Sequence, residues 1–380
     1  MRGHPGSDSF ILWLSPKAAA NPNIVRIALL TSWNERCGIA AYSRGLVEAL
    51  QPRVEVRVVP ASFRRGPPAL YETMAAALNE GDVAHVQHSY AFFGGMHPLR
   101  TRYPSFIRGV RRPLVLTVHE LDEGTGPLAI YKRWFNRRTL LAGPVRAWVV
   151  HSPSLRAALI ALGAPADRIH LHPMPVPEPL PLPDGDASRR RLDLVGRTVL
   201  TIPGFLARRK GYDLALAALA RLPKRYLLLV AGGPHAADRT RTEDWLRAEA
   251  RRHGVEDRFR ITGFLSDERL SEVLVATDVV LAPFHSMSAS ASLHLALGYR
   301  KAIVASDLPP NRALDCVALF PVGDADALAQ AIRAVVENTD RRRELEQAAD
   351  AFARHHGYAA LAERTLALYD AVLAEERGQG

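Results

Sequence analysis

Cysteine is nearly missing from this chain. Cys37 and Cys316 are the two present in 380 residues, far apart and in no CxxC pair, so neither a disulfide framework nor a thiolate zinc site is indicated. No apolar run approaches the ~20 residues that cross a bilayer. Residues 1–23 hold one short apolar patch, Phe10 to Leu14, without the tripartite pattern of a secretory leader. These absences point to a cytoplasmic protein with a loose N-terminal extension. Acidic residues are also in deficit: 49 Lys and Arg face 39 Asp and Glu, for a formal net charge of +10. No nucleic-acid motif accompanies that excess, which argues against a nucleic-acid partner.

What is present is ordinary for a globular protein, with 48% hydrophobic and 23% charged residues. At this length two domains are expected. Short apolar runs at 24–30, 54–59, 83–87, 114–118 and 147–150 alternate with helical patterns. The proline-dense stretch Met174 to Asp184 then interrupts any helix or central strand and opens a linker over 174–197. A second alternation follows, with strands expected at 198–202, 226–231, 259–262, 279–283 and 302–305. The pattern is α/β, with two open, doubly wound parallel sheets. In such sheets ligands gather at the carboxyl ends of strands, which singles out Gly38, His88, His119 and His151.

The stretch 278–307 organises the second half. Its strand–loop–helix–strand pattern carries Ser286, Ser288, Ser290 and Ser292 in the loop before a helix, where free N–H groups and the helix dipole attract anions. Gly298 is placed to end that helix in a left-handed conformation. Serines before a helix are also ordinary caps.

Val199 to Gly211, with its Lys210-Gly211 pair, resembles the strand, glycine and Lys-Gly motif of family 4 glycosyltransferases. Leu227 to Gly233, Ile261 to Leu265, Asp278 to Pro283 and Ala296 to Asp307 are similar to the landmarks that follow there, in the same order. Trp33 to Leu50 resembles the first loop and helix of that family's N-terminal domain. The resemblance implies the GT-B fold: two Rossmann-like doubly wound parallel-sheet domains facing across a cleft. An acceptor domain would span 24–173 and a nucleotide-sugar donor domain 198–357, with a C-terminal helix at 358–380 packing back on the first. It also implies retaining, metal-independent transfer of a sugar from a nucleotide-diphosphate donor to a glycan, lipid-linked or small-molecule acceptor, with no cofactor.

Charge develops on the leaving diphosphate in that reaction, so fixed cations and N–H dipoles stabilise its transition state. By resemblance Lys210 is the main cation, with Arg208 or Arg209 beside it, and His119 contacts the donor sugar. Gly38 and Gly204 let backbone approach the phosphates, and His285, Ser286, Ser288, Ala289, Ser290 and Leu293 line the donor. The family's paired glutamates would fall on His285 and Leu293, and its arginine on Phe205. Each lost hydrogen bond to a charged group removes about 1.5–3 kcal/mol. A second class therefore stands beside the enzyme: a catalytically weak GT-B protein that binds a sugar nucleotide or glycan as partner of another transferase. Asp184-Gly-Asp186 and Asp324-Ala-Asp326 imitate a metal-binding DxD but read as caps. Lys132, Arg133, Arg137 and Arg138, interleaved with Tyr131, Trp134 and Phe135, suit an anionic membrane surface at the inner face.

Overall fold

The computed structural model describes residues 12–14, 24–35, 37–124, 126–234, 241–287 and 289–378. Contacts divide the chain into two units, Met1–Pro173 with Tyr358–Gly380, and Met174–Gly357. Each unit is built on one sheet.

The first sheet holds β1 (Leu12–Leu14), β2 (Arg26–Thr31), β3 (Glu55–Pro60), β4 (Val83–His88), β5 (Leu114–Val118), β6 (Val145–Val150) and β7 (Ile169–Leu171), in the order β1-β3-β2-β4-β5-β6-β7. All neighbours are parallel except β1, which lies antiparallel on β3 with Leu12 opposite Val58. The N-terminal stretch expected to be loose thus supplies an edge strand. The winding reverses between β2 and β4, the kind of switch point where open α/β sheets take ligands. Every residue of β4 and β5 is buried, as central parallel strands with both faces covered require. The helix Gly38–Leu50 packs Tyr42, Leu46, Val47 and Leu50 inward, and its Ser43 hydroxyl shares a 2.7 Å hydrogen bond with Thr31. The last helix, Tyr358–Gly378, buries Leu361, Leu368, Tyr369 and Val372 in this same unit.

The second sheet holds β8 (Thr198–Pro203), β9 (Tyr226–Ala231), β10 (Phe259–Ile261), β11 (Val279–Ala282), β12 (Ile303–Ser306) and β13 (Ala318–Phe320), all parallel, in the order β10-β9-β8-β11-β12-β13. Its switch point falls between β8 and β11, so the loops after Pro203 and Ala282 emerge side by side. The stretch 174–197 is not irregular throughout. Asp184 accepts the Ala187 N–H at 2.6 Å and starts a helix, Gly185–Arg191, that packs beside the helix Asp267–Ala276 through an Arg191–Glu272 ion pair. Asp324 likewise caps the helix Ala325–Val336. The first aspartate of each DxD imitation is therefore spent on a helix start.

Gly298 is the last residue of the helix Ala291–Gly298, but its backbone is not left-handed; Arg300, at φ 54°, is. The reason for glycine there is space. A methyl group at 298 would collide with the Pro177 carbonyl oxygen.

Candidate active site

In the second unit, β8 delivers Pro203 and then Gly204, at φ 93°, where side chains are strained. A short 3₁₀ turn, Arg208–Lys210, follows and sends Lys210 back under the strand end. Lys210 is 7% exposed, and its ammonium donates to the Pro203 carbonyl at 2.7 Å. Burial, and secondarily the Arg209 charge, lower its pKa to about 7. A methyl at Gly204 would stand 2.8 Å from Lys210 Nζ and 3.1 Å from Ser292 Cβ. Lysine, glycine and serine thus meet at one spot between the ends of β8 and β11.

The helix Ala291–Gly298 begins at that spot. Ser290 caps it, accepting the Leu293 N–H at 3.3 Å, and its hydroxyl lies 3.1 Å from that of Ser292. A buried cation beside two hydroxyls and a helix N-terminus is a place chemically suited to an oxyanion.

The remaining second-unit candidates are distributed around this centre. Arg209 is exposed and its carbonyl accepts the His285 N–H at 2.8 Å. Arg208 is exposed and its guanidinium lies 4.8 Å from the Trp245 ring centre. His285 Nε2 sits 2.9 Å from an Asp213 carboxylate oxygen, so its ring is held by an acid. Ser286 is exposed and Ala289 half-buried, while Ser288 lies outside the described residues. Leu293 corrects the expectation. Its side chain is 1% exposed and packs with Phe284, Ala296 and Leu297, so it faces the core and offers the site nothing.

In the first unit, Gly38 opens its helix one residue after Cys37, whose sulfur caps Ala40 N–H at 3.4 Å and touches the Ser32 hydroxyl at 3.0 Å. His119 follows β5. Its Nε2 lies 2.7 Å from Gln87 Oε1, and its Nδ1 3.2 Å from His151 Nε2. Burial holds the His119 pKa well below the usual value, with His151, His85 and His88 adding to the effect. His88, singled out at its strand end, is 1% exposed and set edge-on to Tyr90 at 4.9 Å.

Known proteins share both halves. Residues 39–178 match the profile described as Glycosyltransferase Family 4, and residues 196–338 that described as Glycosyl transferases group 1. The chain belongs to the group 1, family 4 glycosyltransferases. Phosphatidyl-myo-inositol mannosyltransferase of Mycolicibacterium smegmatis is 29% identical over 187 residues, 47% of this chain and 46% of that one. The 2-deoxystreptamine glucosyltransferase of Streptomyces kanamyceticus is 30% identical over 203 residues, 48% of each. The match therefore spans about half the length of these curated relatives. HepE of Anabaena, crystallised with UDP and glucose, superposes with a TM-score of 0.74 over 91% of this chain and all of its own, at 16% identity. The fold is GT-B.

Within this family 4 chain, sequence reasoning named Ser292 only as one of four loop serines, left it out of the donor lining, and overlooked Gln87 altogether. Ser292 was the last of four serines in one loop, and nothing in sequence ranks it first. Gln87 could have been found, because it sits two residues after His85 on a strand, and such residues share a face. Among the described residues no three His, Cys, Asp or Glu side chains are grouped to hold a metal ion.

Proposed function

We propose that this chain moves a sugar, with retained anomeric configuration, from a nucleoside-diphosphate donor to an acceptor hydroxyl. Family membership across both halves supports the reaction class. The observation that carries the site is the meeting of Lys210, Gly204 and Ser292 at the switch point of the second sheet. Lys210 stabilises the charge that grows on the leaving diphosphate, and the Ser290–Ser292 turn supplies hydroxyl and N–H donors. Gly204 keeps that space clear. Arg209 adds a second positive charge. HepE was crystallised with UDP and glucose, which makes uridine-linked hexoses the first donors to try. The test is release of nucleoside diphosphate from a panel of nucleotide sugars, read with thermal shifts. Free nucleotide from one donor is expected. Inertness to every donor, with no shift from any nucleoside diphosphate, overturns the reading.

The acceptor is proposed to be lipid-linked, met at an anionic membrane surface. The helix Pro127–Leu140 and the adjoining loop expose Leu99, Leu128, Ile130 and Trp134, at 84%, 61%, 80% and 48%. Tyr131 bonds the Met96 carbonyl and ties the two segments together. Arg137 and Arg138 are exposed beside them, Arg138 over the Trp134 ring at 5.4 Å. Lys132 contributes less, since Asp122 neutralises it. Apolar side chains ringed by arginines favour a charged interface. No helix among the described residues is long and apolar enough to cross a membrane. Changing Arg133, Arg137 and Arg138 together to Ser is expected to weaken vesicle binding by about 1 kcal/mol per cation. Equal sedimentation of both proteins with phosphatidylserine vesicles removes the membrane from the proposal.

A further inference from the structure

Several polar side chains of the first unit lie in a row beneath its strand ends. His85 and Gln87 share one face of β4, and Gln87 pairs in register with Thr117 of β5. Tyr369 of the last helix places its hydroxyl 2.5 Å from His85 Nδ1. His85 Nε2 lies 2.7 Å from Thr117 Oγ1 and 3.3 Å from the Gln87 amide. The other end of that amide lies 2.7 Å from His119 Nε2. His119 Nδ1 then meets His151 Nε2 at 3.2 Å, and His151 Nδ1 meets the His172 carbonyl oxygen at 2.8 Å.

The direction of these bonds follows from that last contact. A carbonyl can only accept, so His151 Nδ1 carries the proton. A neutral imidazole has one N–H, which leaves His151 Nε2 as a lone pair. His119 Nδ1 must donate to it, and His119 Nε2 is in turn a lone pair that needs a donor. Gln87 meets the need with its NH₂, since a half-turn of the amide exchanges its nitrogen and oxygen at almost no steric cost. The amide oxygen then faces His85 Nε2, which bears a proton shared with Thr117 Oγ1. His85 Nδ1 is left as an acceptor, and the Tyr369 hydroxyl donates. The opposite amide orientation sets two lone pairs against each other between His119 and His151, unless an extra proton binds there. Burial opposes that proton, holding His119 well below its usual pKa and His151 at about 4.

We infer that Tyr369, His85, Gln87, His119 and His151 form one directional hydrogen-bond chain whose sense is set by the His172 carbonyl, which through His151 fixes His119 as the neutral Nδ1–H tautomer, with Tyr369 as the donor at the far end. A sugar hydroxyl that took the place of the Gln87 amide at His119 Nε2 would meet a lone pair and would have to donate. That last consequence rests on the proposal that this strand end meets a sugar; the chain itself does not.

Long-range ¹H–¹⁵N NMR on protein labelled at its 14 histidines reads the tautomers directly, without substrate. Loss of single peaks in His85→Gln, His119→Gln and His151→Gln assigns them. His119 is expected as Nδ1–H and His85 as Nε2–H at pH 7. In Tyr369→Phe, an isosteric change, His85 is expected to shift toward mixed tautomers, while His119, held from the His172 carbonyl through His151, stays Nδ1–H. Finding His119 as Nε2–H in the unaltered protein, or as an imidazolium at pH 7, overturns the inference. A Tyr369→Phe spectrum with His85 unmoved removes Tyr369 from the chain. Donor turnover is measured separately, so its absence would count against the transferase proposal and leave the tautomer result standing.

Discussion

The two sheets are variations on one architecture, yet their strand ends carry opposite chemistry. The first gathers neutral polar groups: Gln87, His88, His119 and His151, with burial keeping each of these histidines uncharged at pH 7. The second gathers one buried cation, small residues and hydroxyls around Gly204. A neutral hydrogen-bonding row can distinguish the hydroxyl pattern of a sugar without attracting ions. A desolvated lysine beside a helix start does the reverse, drawing an anion and being recharged by it. The contrast shows that a common winding positions a site and leaves its chemistry to a few residues at the strand ends.

That contrast can be broken most severely at Leu293. Leu293→Glu puts a charge into the second unit's core with no partner, and is expected to cost about 3–5 kcal/mol, read as an early unfolding step in a denaturant titration. Retention of the native transition would return Leu293 to the ligand-facing surface. Lys210→Met removes the cation and keeps the volume. Turnover of the best donor is expected to fall about 10²–10³-fold with the melting temperature held or raised; unchanged kinetics would show that the second sheet's site lies elsewhere. Gly204→Ala is smaller in effect, about 1–2 kcal/mol of strain at a positive φ, together with weaker nucleotide binding because the new methyl displaces Lys210 and Ser292. A mutant that binds nucleotide as before would mean the crowded spot is packing alone.

The finest test is protonic. Lys210 has a folded pKa near 7 against an unsupported value of 10.5, so it costs stability most below pH 7, and that cost fades as pH rises toward 10.5. At pH 8.5 the free protein holds this lysine mostly neutral, while a bound diphosphate, already fully ionised, favours the ammonium. Binding is expected to take up close to one proton, measured by calorimetry in buffers of differing ionisation heat. No uptake would leave the two sheets electrostatically alike.

Much of this was legible in the sequence. Apolar runs bounded by glycine, proline or polar residues marked most of the strands, because parallel strands are covered on both faces. Lys210 was legible from its Lys-Gly context after β8. Four things were not. Leu293 lies one helical turn past a serine loop, and sequence does not say which way the first turn of a short helix faces. The edge strand Leu12–Leu14 is too short for any period to show. The helix after Asp184 was hidden by the prolines before it, although Asp184 itself carried a capping signal. The row from Tyr369 to His151 joins residues far apart along the chain, and no local pattern could have announced it.

Because Tyr358–Gly378 belongs to the first unit, that unit is assembled from segments on both sides of the second. A ribosome releases the first sheet long before it makes the helix whose Tyr369 bonds His85, itself bonded to Thr117. During that interval the entire second unit must be synthesised while the first waits with an uncovered flank. Chaperone dependence, and sensitivity to truncation before or within Tyr358–Gly378, are the biological signature such an arrangement should leave.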